Sequence, residues 1–333
     1  MSTIRDVAKL AGVSVATVSR VINQKGYISK DTEKKIKACM AKLQYSPSSV
    51  ARGLAGKKTD TIALLIPDIT NPFFPEIARA VEDTASSYGI TTLLGNCDEN
   101  GVKELRYLDI LKKRYVDGII FAEHGLTWNE IHGILGSGMP IVSLDRAALS
   151  EEVSSVRVNH YQGAVLAVEH LLSIGCRRIA HISGPNHLIT SANRNRGYTD
   201  TLRNAGCFDP DLVYEGDFSM ECGMRVTEQL LKENEGVDGI FTSNDLMAVG
   251  ALKTLIRSGV KVPEDVALIG FDGISMTQMV EPEISTIAQP IYEIGKQAVF
   301  QLIHQIEDRH ELPEMTPRVL ETKLIQRATT TRF

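Results

Sequence analysis

The sequence lacks the cysteine and histidine spacing that is typical of metal sites and disulfide frameworks. Its five cysteines are odd in number and scattered, and none forms a C-x-x-C pair; they are Cys39, Cys97, Cys176, Cys207 and Cys222. The eight histidines show no metal-ligand spacing either, and His181 in "RRIAHI" fits a strand better than a ligand set. We therefore expect reduced thiols in a cytosolic protein and no metal.

Long apolar segments are also missing. No apolar run approaches the roughly 20 residues that span a bilayer, and the first residues, "MSTIRDVAKLAG", contain no apolar signal core. These observations predict a cytoplasmic protein without a membrane partner, and they argue against a periplasmic binding protein or transport component.

Common catalytic fingerprints are absent from the chain. There is no G-x-G-x-x-G dinucleotide motif, no P-loop and no nucleophile elbow. Asp145 and Asp272 form a conceivable acid–base pair, but neighbouring arginines would keep both carboxylates ionised. We expect that the protein is not an enzyme and that it needs no cofactor.

Charge is distributed unevenly along the 333 residues. Residues 1–58 contain nine Lys and three Arg against two Asp and one Glu, a net charge of 12 − 3 = +9. The whole chain carries −5, so the remainder carries −5 − 9 = −14. A basic head on an acidic body indicates a nucleic-acid-binding module joined to a different kind of domain.

The basic head begins with two short predicted helices. Thr3 can cap the first, with Asp6 in the capping-box position, and Gly12 ends it. Ser14 can cap the second, which we expect to run to about Asn23. A third helix is predicted in "SKDTEKKIKACMAKLQY", where a lysine-rich side either approaches DNA or is simply solvated.

A helical wheel divides the second helix into two faces. Val18, Val21 and Ile22 point inward, towards the first helix. The outward face combines small apolar groups, a hydroxyl and a guanidinium: Val15, Ala16, Ser19, Arg20 and Asn23. Such a face can touch thymine methyls and guanine or phosphate. In a basic segment, this pattern favours a helix-turn-helix over a small packing unit with a solvated face.

The segments "TIRDVAKLAGVSVATVSRVIN" and "YSPSSVARGLAGKKT" resemble the DNA-binding head and hinge of the LacI family of repressors. The resemblance implies double-stranded operator DNA as partner and a hinge helix that enters the minor groove, where Leu54 acts as an apolar wedge. The implied DNA-binding residues are Thr3, Ser14, Val15, Ala16, Thr17, Ser19, Arg20, Asn23, Ala51, Arg52 and Leu54. We expect a helix-turn-helix domain over residues 1–46, a hinge over 47–59 and a body over 60–333.

The body alternates apolar strands with amphipathic helices and contains an internal repeat. "VDGIIF" (Val116–Phe121) recurs as "VDGIF" (Val237–Phe241), and each copy precedes a strand that ends in Asp, at Asp145 and Asp272. The pattern predicts an α/β fold with two lobes of parallel strands. The ligand cleft is then expected at the carboxyl ends of the strands.

Polar and aromatic side chains follow many of the predicted strands. A single phenylalanine after a strand is equally compatible with core packing, but carboxylates, guanidinium groups and amides at so many strand ends are not. Carboxylates accept from hydroxyl groups, guanidinium groups donate to them and amides do both. The charges of Asp145, Arg146, Arg194 and Asp272, which lie near predicted strand ends, sum to zero. This balance favours a neutral polyol over a phosphorylated ligand.

The body resembles the periplasmic sugar-binding proteins, most closely those that bind ribose. The resemblance implies a sugar site formed by Asn71, Phe73, Phe74, Asp145, Arg146, Arg194, Phe218, Asn244, Asp272 and Gln289. Phe218, and the choice of Arg194 over Arg196, depend on segments of variable spacing.

Head and body together predict a homodimeric transcriptional repressor whose inducer is a small sugar, most simply ribose. One alternative is a regulator of the same family controlled by a phosphorylated carrier protein in global carbon-catabolite control. The sign of the sugar's effect is open, because some ligands in this family strengthen DNA binding. A dimer is favoured over a tetramer, because no heptad zipper follows "LIQRATTTRF".

Overall fold

The computed structural model describes residues 2–22, 26–45, 58–122, 126–136, 138–144, 153–307 and 318–331. These residues fall into two compact units. The smaller unit holds the described residues up to Thr59 together with Lys113–Val116. The larger holds Asp60–Lys112 and the described residues from Asp117 onward. Asn23, Asp145 and Arg146, and the hinge residues Ala51, Arg52 and Leu54, lie outside the described residues.

Three helices form the described part of the head, and the starts of the first two agree with the predicted caps. They are α1 (Ile4–Ala11), α2 (Val15–Ile22) and α3 (Lys30–Lys42). Thr3 and Asp6 form the capping box, because each side chain accepts a hydrogen bond from the other residue's backbone N–H. The Ser14 hydroxyl accepts from the Thr17 N–H at 3.1 Å. These bonds satisfy N–H groups that a helix start leaves without partners.

The head has its own small core, as the helical wheel predicted. Its buried members are Val7, Ala8, Ala11, Val18, Val21 and Ile36, and Ile22 packs against them while remaining partly exposed. Burial of this set orients α2 so that its opposite face stays open to solvent.

Two lobes form the body, and each contains one six-stranded sheet. The strands of lobe one are β1 (Thr61–Ile66), β2 (Thr91–Asn96), β3 (Gly118–Phe121), β4 (Ile141–Leu144), β5 (Ser154–Val158) and β11 (Arg318–Leu320). Its helices are α4 (Phe73–Ser87), α5 (Gly101–Lys113), α6 (Trp128–Leu135) and α11 (Ile291–Glu307).

Lobe two repeats this plan. Its strands are β6 (Ile179–Ser183), β7 (Val213–Glu215), β8 (Gly239–Thr242), β9 (Ala267–Asp272), β10 (Ser285–Ala288) and β12 (Lys323–Ile325). Its helices are α7 (His160–Ser173), α8 (Ile189–Asn204), α9 (Met220–Glu233) and α10 (Asp245–Arg257). Single 3-10 turns cover Pro210–Leu212, Ser275–Gln278 and Ala328–Thr330.

The two sheets have equivalent strand orders, which confirms the internal repeat. Lobe one runs β2-β1-β3-β4-β5-β11 and lobe two runs β7-β6-β8-β9-β10-β12. The recurring "VDGI" segments lead into β3 and β8, which occupy the same place in the two orders. His181 lies inside β6 and is fully buried, as expected of a strand residue.

One strand departs from the predicted parallel sheets. Among the described strands, β12 alone pairs antiparallel, with β10 as its neighbour. The reason is the path of the chain. β11 ends at the cleft and only two residues separate it from β12, so the chain enters lobe two at the cleft edge and must run away from it.

The described elements pass between the lobes at three places. The first lies between β5 and α7, the second between β10 and α11, and the third between β11 and β12. At the first and third, the Asn159 N–H donates to the Leu320 carbonyl at 3.0 Å, so the two crossing segments are joined by a backbone hydrogen bond.

The lobes have separate apolar cores. α11 packs into lobe one through Ile294, Ala298 and Leu302, although it follows β10 of lobe two. α7 packs into lobe two through Ala164, Val168 and Leu171, although it follows β5 of lobe one. Each lobe therefore completes its core with a helix that the chain supplies after a crossing. No helix within the described ranges is long and apolar enough to span a membrane.

Candidate effector site and DNA-binding face

A cavity of about 610 Å³ lies in the cleft between the lobes, at the carboxyl ends of their strands. Eight of the ten predicted sugar-binding residues line it: Asn71, Phe73, Phe74, Arg194, Phe218, Asn244, Asp272 and Gln289. The other two, Asp145 and Arg146, are outside the described residues. Leu144, which ends β4 directly before them, also lines the cavity.

Arg194 on α8 is the guanidinium of this cavity, and its contacts hold it rigidly. Its Nε donates to Nδ1 of His160 at 3.2 Å, and its Nη1 donates to the Ser243 carbonyl. Its Cζ lies 4.0 Å from the centroid of the Phe271 ring. Two residues on, Arg196 is exposed and lies over the ring of Tyr161. The structure therefore brings Arg194, and not Arg196, into the cleft.

Asp272 and Gln289 form a bonded pair that reaches towards Arg194. The Gln289 Nε2 donates to Asp272 Oδ1 at 2.7 Å, and the same carboxylate oxygen lies 3.7 Å from Arg194 Nη2. The Oε1 of Gln289 is buried and has no hydrogen-bond partner among the described residues. A buried acceptor without a donor is costly unless a ligand or water supplies one. This atom is therefore placed to accept from a bound hydroxyl group.

Asn244 has a structural part in the site that the sequence did not predict. Its Oδ1 accepts from the Met247 N–H at 2.9 Å and so caps α10, while its Nδ2 donates to the Phe218 carbonyl at 2.9 Å. Phe218 adopts a φ of 68°, an uncommon value for an aromatic residue. Gly184 lies against its ring, and any Cβ at that position would collide with it. Asn244 and Gly184 thus hold Phe218 in the cavity wall.

The segment after β1 supplies two rings and an amide. The Asn71 Oδ1 accepts from the Phe73 N–H at 3.1 Å, which turns the chain into α4. The Phe73 and Phe74 rings meet edge to face, with centroids 5.2 Å apart and planes at 86°. Phe73 belongs to the core of lobe one and also borders the cavity, so one ring both packs in the core and lines the cavity.

Two residues that position others escaped the sequence analysis. His160, at the start of α7, receives the Arg194 Nε–H on Nδ1, so its ring proton must be on Nε2. Asp245, next to Asn244, is fully buried and accepts three hydrogen bonds around the turn that follows β9. Burial raises the pKa of Asp245 well above its ordinary value, and the nearby Asp272 carboxylate acts in the same direction. Its position directly after Asn244, a predicted site residue, was the only available signal for Asp245.

The cavity is more acidic than the predicted residues suggested. Six carboxylates line it against one described guanidinium, that of Arg194; they are Asp68, Asp98, Glu99, Asp217, Glu221 and Asp272. Lys103 donates to Asp98 and keeps the pKa of that carboxyl below its usual value. Asp68 and Asp98 follow β1 and β2, so the strand-end pattern could have identified them as well.

In the head, the outward face of α2 is accessible as predicted. Val15 is 41% exposed, and Ala16 and Arg20 are also exposed, whereas Thr17 and Ser19 are half-buried. Thr3 is exposed, but its hydroxyl donates a hydrogen bond to the Asp6 carboxylate at 2.7 Å. Thr3 therefore caps the start of α1, and its contact with DNA stays a prediction.

The cysteines and acidic groups show no metal chemistry within the described ranges. None of the five cysteines, all of which lie in the described ranges, forms a disulfide bond, and no group of three or more His, Cys, Asp or Glu side chains in these ranges is arranged to hold an ion.

Both parts of the chain match known protein families. Residues 3–48 match the bacterial regulatory proteins of the lacI family. Residues 59–326 match the periplasmic binding proteins and sugar binding domain of the LacI family. The chain belongs to the LacI family. It is therefore a DNA-binding transcriptional repressor with a sugar-binding body, as the resemblance implied.

Several members of the LacI family are similar over most of the chain. The ribose operon repressor of Halalkalibacterium halodurans is 44% identical, with 99% of this chain and 97% of the relative covered. A lac repressor dimer bound to operator and the anti-inducer ONPF superimposes with a TM-score of 0.86 at 28% identity, covering 99% of both chains. A LacI-family regulator from Enterococcus faecium with bound ribose gives a TM-score of 0.74 at 32% identity, covering 81% of this chain and 98% of that chain.

Proposed function

We propose that this protein is a homodimeric repressor of a ribose operon, and that ribose is the inducer that releases it from its operator. The observation that carries the proposal is the convergence of eight side chains on one cleft cavity. Their chemistry, a guanidinium, a carboxylate, three amides and three aromatic rings, suits a neutral polyol. The near-full-length likeness to a ribose operon repressor and the likeness to a ribose-bound regulator support the same ligand.

The individual roles follow from the donor and acceptor capacity of each group. Arg194 donates to sugar hydroxyls, while Asp272 and the free Oε1 of Gln289 accept from them. Phe74 and Phe218 cover the apolar faces of the ring, and Asn71 contributes its amide. Asp145 and Arg146, which follow Leu144 in the sequence and lie outside the described residues, are proposed to complete the set.

The acidic lining argues for a neutral effector. Six carboxylates against one described guanidinium would repel a phosphate group on the sugar. The effector is therefore the free sugar and not its phosphate ester. Such a cavity also argues against an enzyme that transfers phosphoryl groups, and we propose no catalytic activity for the chain.

DNA binding belongs to the outward face of α2. Val15, Ala16 and Arg20 read base edges in the major groove, with Ser14, Thr17, Ser19 and Asn23 beside them. Ala51, Arg52 and Leu54 of each subunit enter the minor groove of a roughly palindromic operator. The operator-bound dimer of a related repressor supports this arrangement. Because its DNA target is in the cytoplasm, the protein acts there.

A calorimetric titration tests the proposal. Ribose, other pentoses, hexoses and ribose 5-phosphate are titrated into the protein with and without operator DNA. We expect ribose to bind most tightly, the phosphate ester to bind poorly, and operator DNA to weaken ribose binding by the factor by which ribose weakens operator binding, about 1–3 kcal/mol of coupling. If no free sugar binds, and a phosphorylated carrier protein changes operator affinity instead, the protein is a global catabolite regulator.

A further inference from the structure

We propose that Asp245 is a positioning residue of the effector site: its carboxylate holds the turn after β9, and this turn presents Asp272 to the sugar. The inference rests on the proposed function, because the experiment that tests it measures the affinity for ribose. Asp245 itself does not line the cavity, and no contact with the sugar is assigned to it above.

The Asp245 carboxylate collects hydrogen bonds from both sides of the turn. Its Oδ2 accepts from the backbone N–H of Gly273 at 2.7 Å and of Ile274 at 2.9 Å. Its Oδ1 accepts from the Thr286 hydroxyl on β10 at 2.7 Å. The side chain is fully buried, so water cannot replace these acceptors. Loss of Oδ2 would take this partner from the buried Ile274 N–H and from the partly buried Gly273 N–H.

The neighbouring strand leaves room for this carboxylate. Gly270 in β9 faces Asp245, and a Cβ built at that position would collide with Oδ1. The glycine is therefore required by the close approach of the carboxylate, and the backbone of β9 forms one wall of its site.

The turn that Asp245 holds has an unfavourable backbone conformation. Asp272 has a φ of 119° and the following Gly273 has a φ of 83°. A positive φ at a residue with a Cβ costs free energy and persists only where surrounding contacts maintain it. The next two N–H groups along the chain are the ones that Asp245 binds. Asp245 is thus the contact that compensates for the conformation of Asp272.

This conformation directs Asp272 to its partners in the cleft. Its Oδ1 meets Gln289 Nε2 at 2.7 Å and lies 3.7 Å from Arg194 Nη2. If the turn relaxes, the carboxylate that accepts from sugar hydroxyls moves away from both. Affinity for the effector therefore depends on Asp245 through geometry alone.

The same turn also reaches lobe one. Ile274 is fully buried in the core of lobe one, and Met276 packs against that core. The Ser275 N–H lies 3.4 Å from the Glu76 carboxylate on α4. Asp245 thereby anchors a segment that touches the sugar site at Asp272 and the opposite lobe at Ile274. A defect at Asp245 should alter both sugar affinity and the response of operator binding to sugar.

Two substitutions at the same position separate positioning from charge. Asp245→Asn keeps an oxygen for the two N–H groups and places an NH2 that can donate to the Thr286 hydroxyl. Asp245→Ala removes all acceptors. We expect the ribose Kd of Asp245→Asn to stay within about threefold of wild type. That of Asp245→Ala should rise about 30-fold, because the turn loses the hydrogen bonds of its Gly273 and Ile274 N–H groups. Operator affinity without sugar should stay near wild type in both.

The readout is the ribose Kd by calorimetry at low temperature, on protein shown to be folded by circular dichroism. A residue that only stabilised the fold would lower the melting temperature and leave this Kd unchanged. If Asp245→Ala does not fold, Gly270→Ala replaces it, because its methyl group displaces Oδ1 without removing the carboxylate. The Gly270→Ala substitution should also raise the ribose Kd, by about tenfold or more.

The results for the wild-type protein and for the variants separate the proposed function from the positioning role of Asp245. Wild-type protein that binds no ribose would overturn the proposed function, and this inference with it. Wild-type binding together with unchanged ribose affinity in folded Asp245→Ala or Gly270→Ala would overturn the positioning role alone. Equal losses in Asp245→Asn and Asp245→Ala would show that charge, and not the held turn, is what matters.

Discussion

Acidification should destabilise the body through one buried histidine. His181 is fully buried between the rings of Tyr198 and Phe241, with centroids 4.8 and 4.6 Å away. Its Nδ1 lies 3.0 Å from the Phe241 carbonyl, so this nitrogen carries the proton, and Nε2 faces the Ser243 hydroxyl at 3.3 Å. Burial lowers the pKa of His181 to about 4. The native state therefore holds a neutral imidazole over most of the usable pH range.

The size of this destabilisation follows from the difference between the His181 pKa in the folded protein and in the unfolded chain. In the unfolded chain His181 regains a pKa of about 6.5, so at pH 5 that state binds a proton that the folded state does not. The contribution of neutral His181 to the free energy of unfolding is therefore complete above pH 6.5 and is lost progressively as the pH falls towards 4. Linkage gives a loss of about 2 kcal/mol between pH 7 and pH 5, and of about 3 kcal/mol once the pH is below both pKa values.

Urea denaturation followed by circular dichroism measures this loss at a series of pH values. The comparison protein is His181→Phe, which keeps an aromatic ring between Tyr198 and Phe241 but cannot titrate. We expect the variant to be less stable at pH 7, because the Phe241 carbonyl loses a donor, yet to have a flatter dependence on pH by about 2 kcal/mol between pH 7 and pH 5. Parallel curves for the two proteins would refute the reasoning.

Three further predictions concern ligand and DNA binding. Arg194→Ala should weaken ribose binding by about 2–4 kcal/mol, whereas Arg196→Ala on the exposed side of α8 should not; equal calorimetric Kd values for the two would remove Arg194 from the site. Phe74→Leu should cost about 0.5–1.5 kcal/mol of ribose affinity through lost ring contact, and a wild-type Kd would mean that the ring serves only packing. Arg20→Ala should relax operator preference at one symmetric position in a binding-site selection and cost about 1–3 kcal/mol; a loss equal for all DNA sequences would instead indicate a phosphate contact.

Much of the fold was predictable because its signals are local. The capping box of Thr3 and Asp6 and the wheel of α2 depend on residues within two helical turns. The repeat of "VDGI" before β3 and β8 revealed two equivalent lobes without any knowledge of their packing. The direction of β12 was not predictable, because it depends on where the chain crosses between lobes and not on the three residues of the strand.

The candidate site was predictable only in part, for a geometric reason. Residues at or shortly after the ends of strands, such as Asn71, Asp272 and Gln289, could be found because parallel strands end at a common edge. His160 and Asp245 could not, because their parts depend on distances to Arg194 and to the turn after β9. Asn244 was found for its amide, but that amide caps α10 and holds the Phe218 carbonyl.

The three crossings between the lobes determine how the body can move. Each is a short segment at the cleft, so the lobes can rotate as rigid bodies when a few backbone torsions change in these segments. Gln289 and Pro290 form one of them, between β10 and α11. A ligand that contacts Gln289, as proposed above, would therefore act within one of these crossings. We expect the free energy of that contact to change the angle between the lobes at the crossing itself.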